Sequence, residues 1–279
     1  MTAGDGPADA SPAPDSKTAA LAGKTALVTG SVQGLGLATA ECLAEAGCDV
    51  VLNGFAEAAS VAAIRARLEG RYRVRTVYSG ADLRRPDEIE QMMATAVETF
   101  GSIDVLVNNA VVRHAAPVEA FPTEHWDEAL AVNLSAAFHL IRLAIPHMRR
   151  KNWGRIINVS SIYGLRAAAD RIAYVTTKTA LLGMTRAVAL ETLGHNITCN
   201  AVCPGTTETP VHEAKVREVM ETEGLSRSGA EQRVLSGKQP SGRFIPPANV
   251  AALIVFLCGP ESADITGAAL PIDGAWSAH

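Results

Sequence analysis

Tyr174 and Lys178 stand four residues apart, in a stretch that begins at Ser161 and reads Ser-Ile-Tyr-Gly-Leu-Arg-Ala-Ala-Ala-Asp-Arg-Ile-Ala-Tyr-Val-Thr-Thr-Lys. Residues four apart share one face of a helix, so the ammonium can sit beneath the phenol. A tyrosine ordinarily ionises near pH ~10, and each pKa unit is worth about 1.36 kcal/mol. Bringing it to near ~7 takes roughly 4 kcal/mol, which a close cation in a partly dry site can supply. The result is a tyrosinate able to exchange a proton with an alcohol or a carbonyl. A Tyr-x-x-x-Lys pair alone also occurs as a core tyrosine with a snorkelling lysine. Its meaning therefore depends on what the rest of the chain builds around it.

The elements before the pair alternate. Residues 24–29 form a short apolar run, read as a buried parallel strand. It ends in Gly30-Ser31-Val32-Gln33-Gly34-Leu35-Gly36, followed by a helical stretch to residue 46, with Gly47 as its cap, and a second strand over 48–53. A Gly-rich turn between strand and helix lets backbone approach a pyrophosphate, and the helix N-terminus favours its charge. The second strand ends in Asn53-Gly54-Phe55, where an acid would bind an adenosine ribose and an Arg would take a 2′-phosphate. Neither is present, and the missing cation argues for NAD over NADP. Asp82-Leu83 follows a third strand over 73–78. The carboxylate there either meets an adenine edge or caps the helix beginning near Pro86.

Further helices are expected over 57–68, 123–150, 170–193 and 249–257, with Pro146 kinking or ending the second of these. Further strands are expected over 104–107, 154–160, 196–202 and 269–272. Asn133, a poor mid-helix residue, faces water or binds something. Alternating strands and helices predict a single-domain α/β Rossmann fold: a doubly wound parallel sheet of seven strands covered on both faces. Residues 206–242 break the pattern. They are too long for an ordinary connection and read as a mobile, partly helical lid.

Composition narrows the classes. The chain has 279 residues, 48% of them hydrophobic and 5% aromatic, and a net charge of −4. Mixed charge gives no nucleic-acid patch. Cys42, Cys48, Cys199, Cys203 and Cys258 form no metal-binding pattern and read as reduced thiols of a cytoplasmic protein. Residues 1–22 read as a flexible tail ahead of a domain over 23–279, with neither a secretory signal nor a run of 18 apolar residues that would span a membrane.

Taken together, these residues resemble the short-chain dehydrogenase/reductase family over 22–279. The matching motifs are the turn at 29–36, Asp82, Asn108-Asn109-Ala110, Asn133, Ser161 thirteen residues before Tyr174, Lys178, and Pro204-Gly205. The resemblance implies catalysis by Asn133, Ser161, Tyr174 and Lys178. It also implies NAD contacts from Gly30, Ser31, Gln33, Gly34, Leu35, Gly36, Asn53, Phe55, Asp82, Leu83, Asn109, Ala110, Tyr174, Lys178, Pro204 and Gly205. Ser161 would bond the substrate oxygen, Lys178 the ribose hydroxyls, and Asn133 a water linking Lys178 to solvent.

Within the family the chain is most similar to the D-3-hydroxybutyrate dehydrogenase branch, for instance at 51–55, 121–127 and 146–148, which implies an NAD-linked homotetramer acting on a small carboxylated alcohol. That branch lines its pocket with a Gln, a His, a Lys, a Trp and a Gln. The matching positions here are Arg113, Tyr163, Arg171, Thr206 and Lys215, alongside Ser161 and Tyr174. Three are cations where the branch has one, and Arg recognises carboxylates bidentately. A larger or more anionic hydroxy acid than 3-hydroxybutyrate is expected, unless these cations point to solvent. Val111 replaces the family Gly after Asn-Asn-Ala. A sugar or polyol dehydrogenase, a 3-oxoacyl reductase and a non-catalytic dinucleotide sensor remain alternatives.

Overall fold

The computed structural model describes residues 20–278. The expected tail falls mostly on residues 1–19, outside them. Leu21, also assigned to that tail, is only 2% exposed and its N–H donates to the Ala46 carbonyl. The folded unit therefore includes Leu21.

Seven parallel strands form one sheet in the order β3-β2-β1-β4-β5-β6-β7. They are β1 Thr25–Val28, β2 Asp49–Asn53, β3 Thr76–Ser79, β4 Val105–Asn108, β5 Gly154–Val159, β6 Ile197–Pro204 and β7 Ala269–Ile272. The chain winds outward from β1 in both directions, so the switch point lies between β1 and β4, where open α/β sheets bind ligands at their carboxyl ends. The helices are α1 Gly34–Glu45, α2 Ala58–Tyr72, α3 Pro86–Phe100, α4 Thr123–Leu130, α5 Ala136–Lys151, α6 Ile172–Glu191, α7 Pro210–Glu223, α8 Arg227–Leu235 and α9 Pro247–Cys258.

Strand side chains alternate between the two faces. Ala26, Val28, Val50 and Leu52 pack with Leu43 of α1, Leu68 of α2 and Ile254 of α9. Leu27, Val51, Leu106 and Ile156 pack on the opposite face with Ile89 and Met93 of α3 and Leu140 and Met148 of α5. Strands buried on both faces read as continuous apolar runs, which is why they were visible in the sequence.

Several boundaries differ from expectation. The helix expected over 57–68 extends to Tyr72 and ends at Arg73, whose φ of 57° is left-handed. Pro146 lies inside α5 without ending it. It is exposed, so the carbonyl it leaves without an amide partner faces water. Asp82 does not cap α3, because Arg85 holds that position and the Asp82 carboxylate is taken by Arg84 at 2.6 Å. Residues 131–135 form a π-helical turn between α4 and α5. Among the described residues the continuous run Thr123–Lys151 alone has the length and apolarity of a membrane span. Its Leu140, Ile141, Ala144 and Met148 pack on the sheet, which makes it a core helix.

The polar stretch 206–242 contains α7 and α8. Thr209 and Ser226 cap them, and Val216, Val219 and Ala230 give them a small core of their own.

Leu27→Ala is expected to remove about 2–5 kcal/mol of stability, as large-to-small changes at fully buried sites do. Urea unfolding should show a lower midpoint with an unchanged m-value.

Candidate active site

The carboxyl ends of β4, β5 and β6 supply the site. Ser161 follows β5 and is 7% exposed, and its Oγ accepts from Tyr163 N at 3.1 Å. The turn over 162–164 lies so close to α6 that a Cβ on Gly164 would stand 2.8 Å from the Lys178 carbonyl. Ser160 Oγ donates to that carbonyl at 2.8 Å, fixing α6 against the end of β5.

Tyr174 and Lys178 share the inward face of α6 and are 8% and 3% exposed. Lys178 Nζ donates to the Val159 carbonyl at 2.6 Å and lies 5.9 Å from the Tyr174 ring centroid. Burial pushes the Lys178 ammonium down to about 8, with Arg113 adding to the shift and Tyr174 opposing it. Tyr174 shows the reverse balance. Burial alone would raise its pKa, but the charges of Arg113 and Lys178, with the donors of Ser161 and Arg113, outweigh it and hold the phenol below its ordinary value. Arg113 Cζ lies 5.5 Å from the Tyr174 ring centroid. A buried phenol with a lowered pKa between two cations is equipped for proton transfer.

Asn133 is 2% exposed in its π turn. Its Oδ1 accepts from Val112 N at 2.8 Å, and its Nδ2 donates to the Val112 carbonyl at 3.0 Å and to Thr177 Oγ1 at 3.4 Å. All three contacts are made by the Asn133 amide. It clamps the residue before Arg113 to α6.

The expected substrate side chains are only partly brought together. Arg113 faces Tyr174. Tyr163 stands edge-on to Tyr174 at 6.2 Å, and burial raises its phenol pKa against the opposing charge of Arg171. Arg171, preceding α6, lines a separate cavity of about 450 Å³ with Ala116, Asp170 and Val175. Thr206 is 7% exposed, and its N–H donates to Gln239 Oε1 at 2.7 Å. Lys215 is a correction: it is turned to solvent on α7 and paired with Glu218 at 3.0 Å. Two neighbours escaped the sequence reading. Trp276 packs edge-on against Tyr163 at 5.4 Å. His212 of α7 feels the charge of Arg113. Neither lies in a motif, so only the fold reveals them.

A family profile described as short chain dehydrogenase matches residues 24–219. The chain belongs to the short-chain dehydrogenase/reductase family. D-beta-hydroxybutyrate dehydrogenase of Cupriavidus necator is 45% identical over 260 residues, covering 93% of this chain and 100% of that one. The same-named protein of Rhizobium meliloti is 42% identical over 256 residues, covering 92% and 99%. The crystal structure of L-sorbose reductase from Gluconobacter frateurii, complexed with NADPH and L-sorbose, superposes with a TM-score of 0.88 at 29% identity, covering 94% and 99%. As a family member the chain is an oxidoreductase of a CH–OH group, using a nicotinamide dinucleotide and a small-molecule substrate.

The turn after β1 fits such a dinucleotide. Gly30 and Gly34 have φ of 64° and 55°, the left-handed region that glycine adopts without strain. No atom within 4 Å blocks the space beside Gly34. α1 has no side-chain cap and no acid in its first turn after Gln33, so its N–H groups and dipole, near Leu35, are free for a phosphate. Asn109 Nδ2 donates to the Thr29 and Gly30 carbonyls, while Asn109 N and Ala110 N donate to Thr29 Oγ1. Ser31, fully buried, and Asn53, 1% exposed, bond one another behind the turn, so they brace it. Phe55 is 71% exposed, while Leu83 is buried in the core. Gly205 N–H donates to the Ile272 carbonyl, holding the turn after Pro204 against β7.

A Cβ on Gly36 would collide with the Gly30 carbonyl. Gly36→Ala is therefore expected to weaken dinucleotide binding by about tenfold or more, or roughly 1.4 kcal/mol, in a fluorescence titration. Unchanged affinity would show that the turn can move aside.

Proposed function

We propose that the protein is an NAD-dependent dehydrogenase of a small anionic hydroxy acid related to 3-hydroxybutyrate, interconverting it with the oxo acid. The observation that carries this reading is Arg113 beside the buried phenol of Tyr174, with Lys178 on the same helix face and Ser161 at the end of β5. The guanidinium is placed to take a carboxylate bidentately while the phenol takes the carbinol proton.

Bound nicotinamide supplies the hydride acceptor on oxidation and the donor on reduction. Tyr174 removes the hydroxyl proton in one direction and returns it in the other. Lys178 keeps the phenolate accessible and bonds the ribose. Ser161 donates to the substrate oxygen, where charge develops. Asn133 acts through Val112 by holding Arg113 in place. Gly30, Gln33, Gly34, Leu35, Gly36, Asn109, Ala110, Pro204 and Gly205 form the dinucleotide groove, with Ser31 and Asn53 bracing it and Phe55, Asp82 and Leu83 on the adenosine side. Thr206 and Tyr163 flank the substrate, and residues 206–242 close over it.

NAD is favoured over NADP because the cations near the ends of β2 and β3 are committed. Arg84 pairs with Asp82 and Glu128, and Arg85 with Asp87 and Glu88. A homotetramer is supported by the kinship with the hydroxybutyrate dehydrogenases and by exposed Phe138, at 52%, on α5. Five free thiols support a cytoplasmic setting. The polyol reading rests on the small polar Thr206 and the likeness to L-sorbose reductase.

The test is NADH formation over a panel of hydroxy acids and polyols. Tyr174→Phe should lower kcat by about 10²–10⁴-fold with dinucleotide affinity retained, and Arg113→Ala should raise KM for the hydroxy acid about tenfold. Turnover of polyols alone would exchange the substrate class. Tight NAD binding without turnover of any alcohol would favour a sensor.

A further inference from the structure

The loop that leaves β4 brings Arg113 to Tyr174, with its guanidinium carbon 5.5 Å from the ring centroid, although Arg113 is exposed. A long exposed side chain keeps one geometry at a cost in rotamer entropy, so the backbone beneath it must be fixed. On one flank Asn133 fixes Val112 through both main-chain atoms. On the other flank stands His114, which belongs to none of the motifs.

His114 lies against α4. Its Nε2 is 2.8 Å from Glu128 Oε2. A carboxylate only accepts, so Nε2 carries the proton. The imidazole is stacked on that of His125, with ring centroids 3.8 Å apart and planes inclined by 7°. His125 and Glu128 are three residues apart and share one face of α4. That face therefore grips His114 both by its edge and by the flat of its ring. The second Glu128 oxygen is 3.6 Å from Arg84 Nη1, and Arg84 is held in turn by Asp82 at 2.6 Å. The carboxylate that receives His114 is thus itself oriented. The two side chains are 23% and 29% exposed, so their bond is partly shielded from water. Further along the loop, Ala116 N–H donates to the Asp170 carbonyl at 3.3 Å.

We infer that His114 is a positioning residue, clamped by Glu128 and His125 so that Arg113 is presented to Tyr174 and to the substrate carboxylate. This rests on the role given to Arg113 in the hydroxy-acid reading. Consecutive Cα atoms are about 3.8 Å apart, so a displacement of His114 is passed directly to Arg113. The clamps on residues 112 and 114 both come from the continuous helical run Thr123–Lys151. One rigid element therefore sets both flanks of the arginine, and only its side-chain torsions remain.

The test is a double-mutant cycle between His114→Ala and Arg113→Gln, read by ultraviolet difference titration of tyrosinate in each variant minus its own Tyr174→Phe counterpart. His114→Ala should move the Tyr174 inflection upward, toward its value in Arg113→Gln, and should add nothing in the Arg113→Gln background, because both changes act through one guanidinium. KM for 3-hydroxybutyrate should rise about three- to fivefold in His114→Ala, the upper part of what a partly exposed charged pair is worth. His114→Gln, whose amide nitrogen reaches the Nε2 position, should recover part of both effects, and circular dichroism separates positioning from misfolding. An inflection that moves in Arg113→Gln but not in folded His114→Ala, or two shifts that simply add, would overturn the role of His114 and leave that of Arg113 standing. An inflection that ignores Arg113→Gln would remove both.

Discussion

Burial strips water from a phenol and disfavours its anion, and the site is built around reversing that effect at Tyr174. At 8% exposure, its desolvation is the largest single influence on its ionisation. It is outweighed only because Arg113 and Lys178 bring two positive charges to one ring, with Ser161 adding a donor. Charges act more strongly where water is excluded, so the burial that opposes the phenolate also strengthens the charges that rescue it. Lys178 is itself strained by burial, its ammonium pushed down to about 8. Arg113 reaches Tyr174 from the exposed side.

Much of the local architecture fixes those two cations. The Val159 carbonyl holds Lys178, and the close passage of Gly164 with the Ser160 bond sets the distance between α6 and β5. Arg113 gives its side-chain hydrogen bond to Tyr174 itself. Its position follows from Val112, clasped on both main-chain atoms by Asn133. That clasp requires Asn133 to point inward from a helix, which the π turn over 131–135 permits at the cost of a locally irregular ladder. An element that looks like a flaw in a long helix thus positions a charge on a neighbouring loop.

The sheet was legible in the sequence because strands buried on both faces must be apolar throughout. The Gly-rich turn was legible because positive φ and close approach both demand glycine. Tyr174, Lys178 and Ser161 were found from their spacing. Side-chain direction was less accessible. Arg113 and Lys215 have similar chemistry, yet one faces the phenol and the other pairs with Glu218 in solvent. Ser31 and Asn53 sit within the motif but brace the turn from behind. His212 and Trp276 belong to no local pattern, because their neighbours come from distant segments that only the fold brings together.

The claim that cations drive a buried phenol toward its anion is tested most directly by ultraviolet difference titration of tyrosinate, wild type minus Tyr174→Phe, repeated in an Arg113→Gln background. The account predicts that Tyr174 ionises below the ordinary tyrosine value near ~10 and that Arg113→Gln moves the inflection upward. Ionisation at or above the ordinary value in the wild type, or an inflection that ignores Arg113, would contradict it.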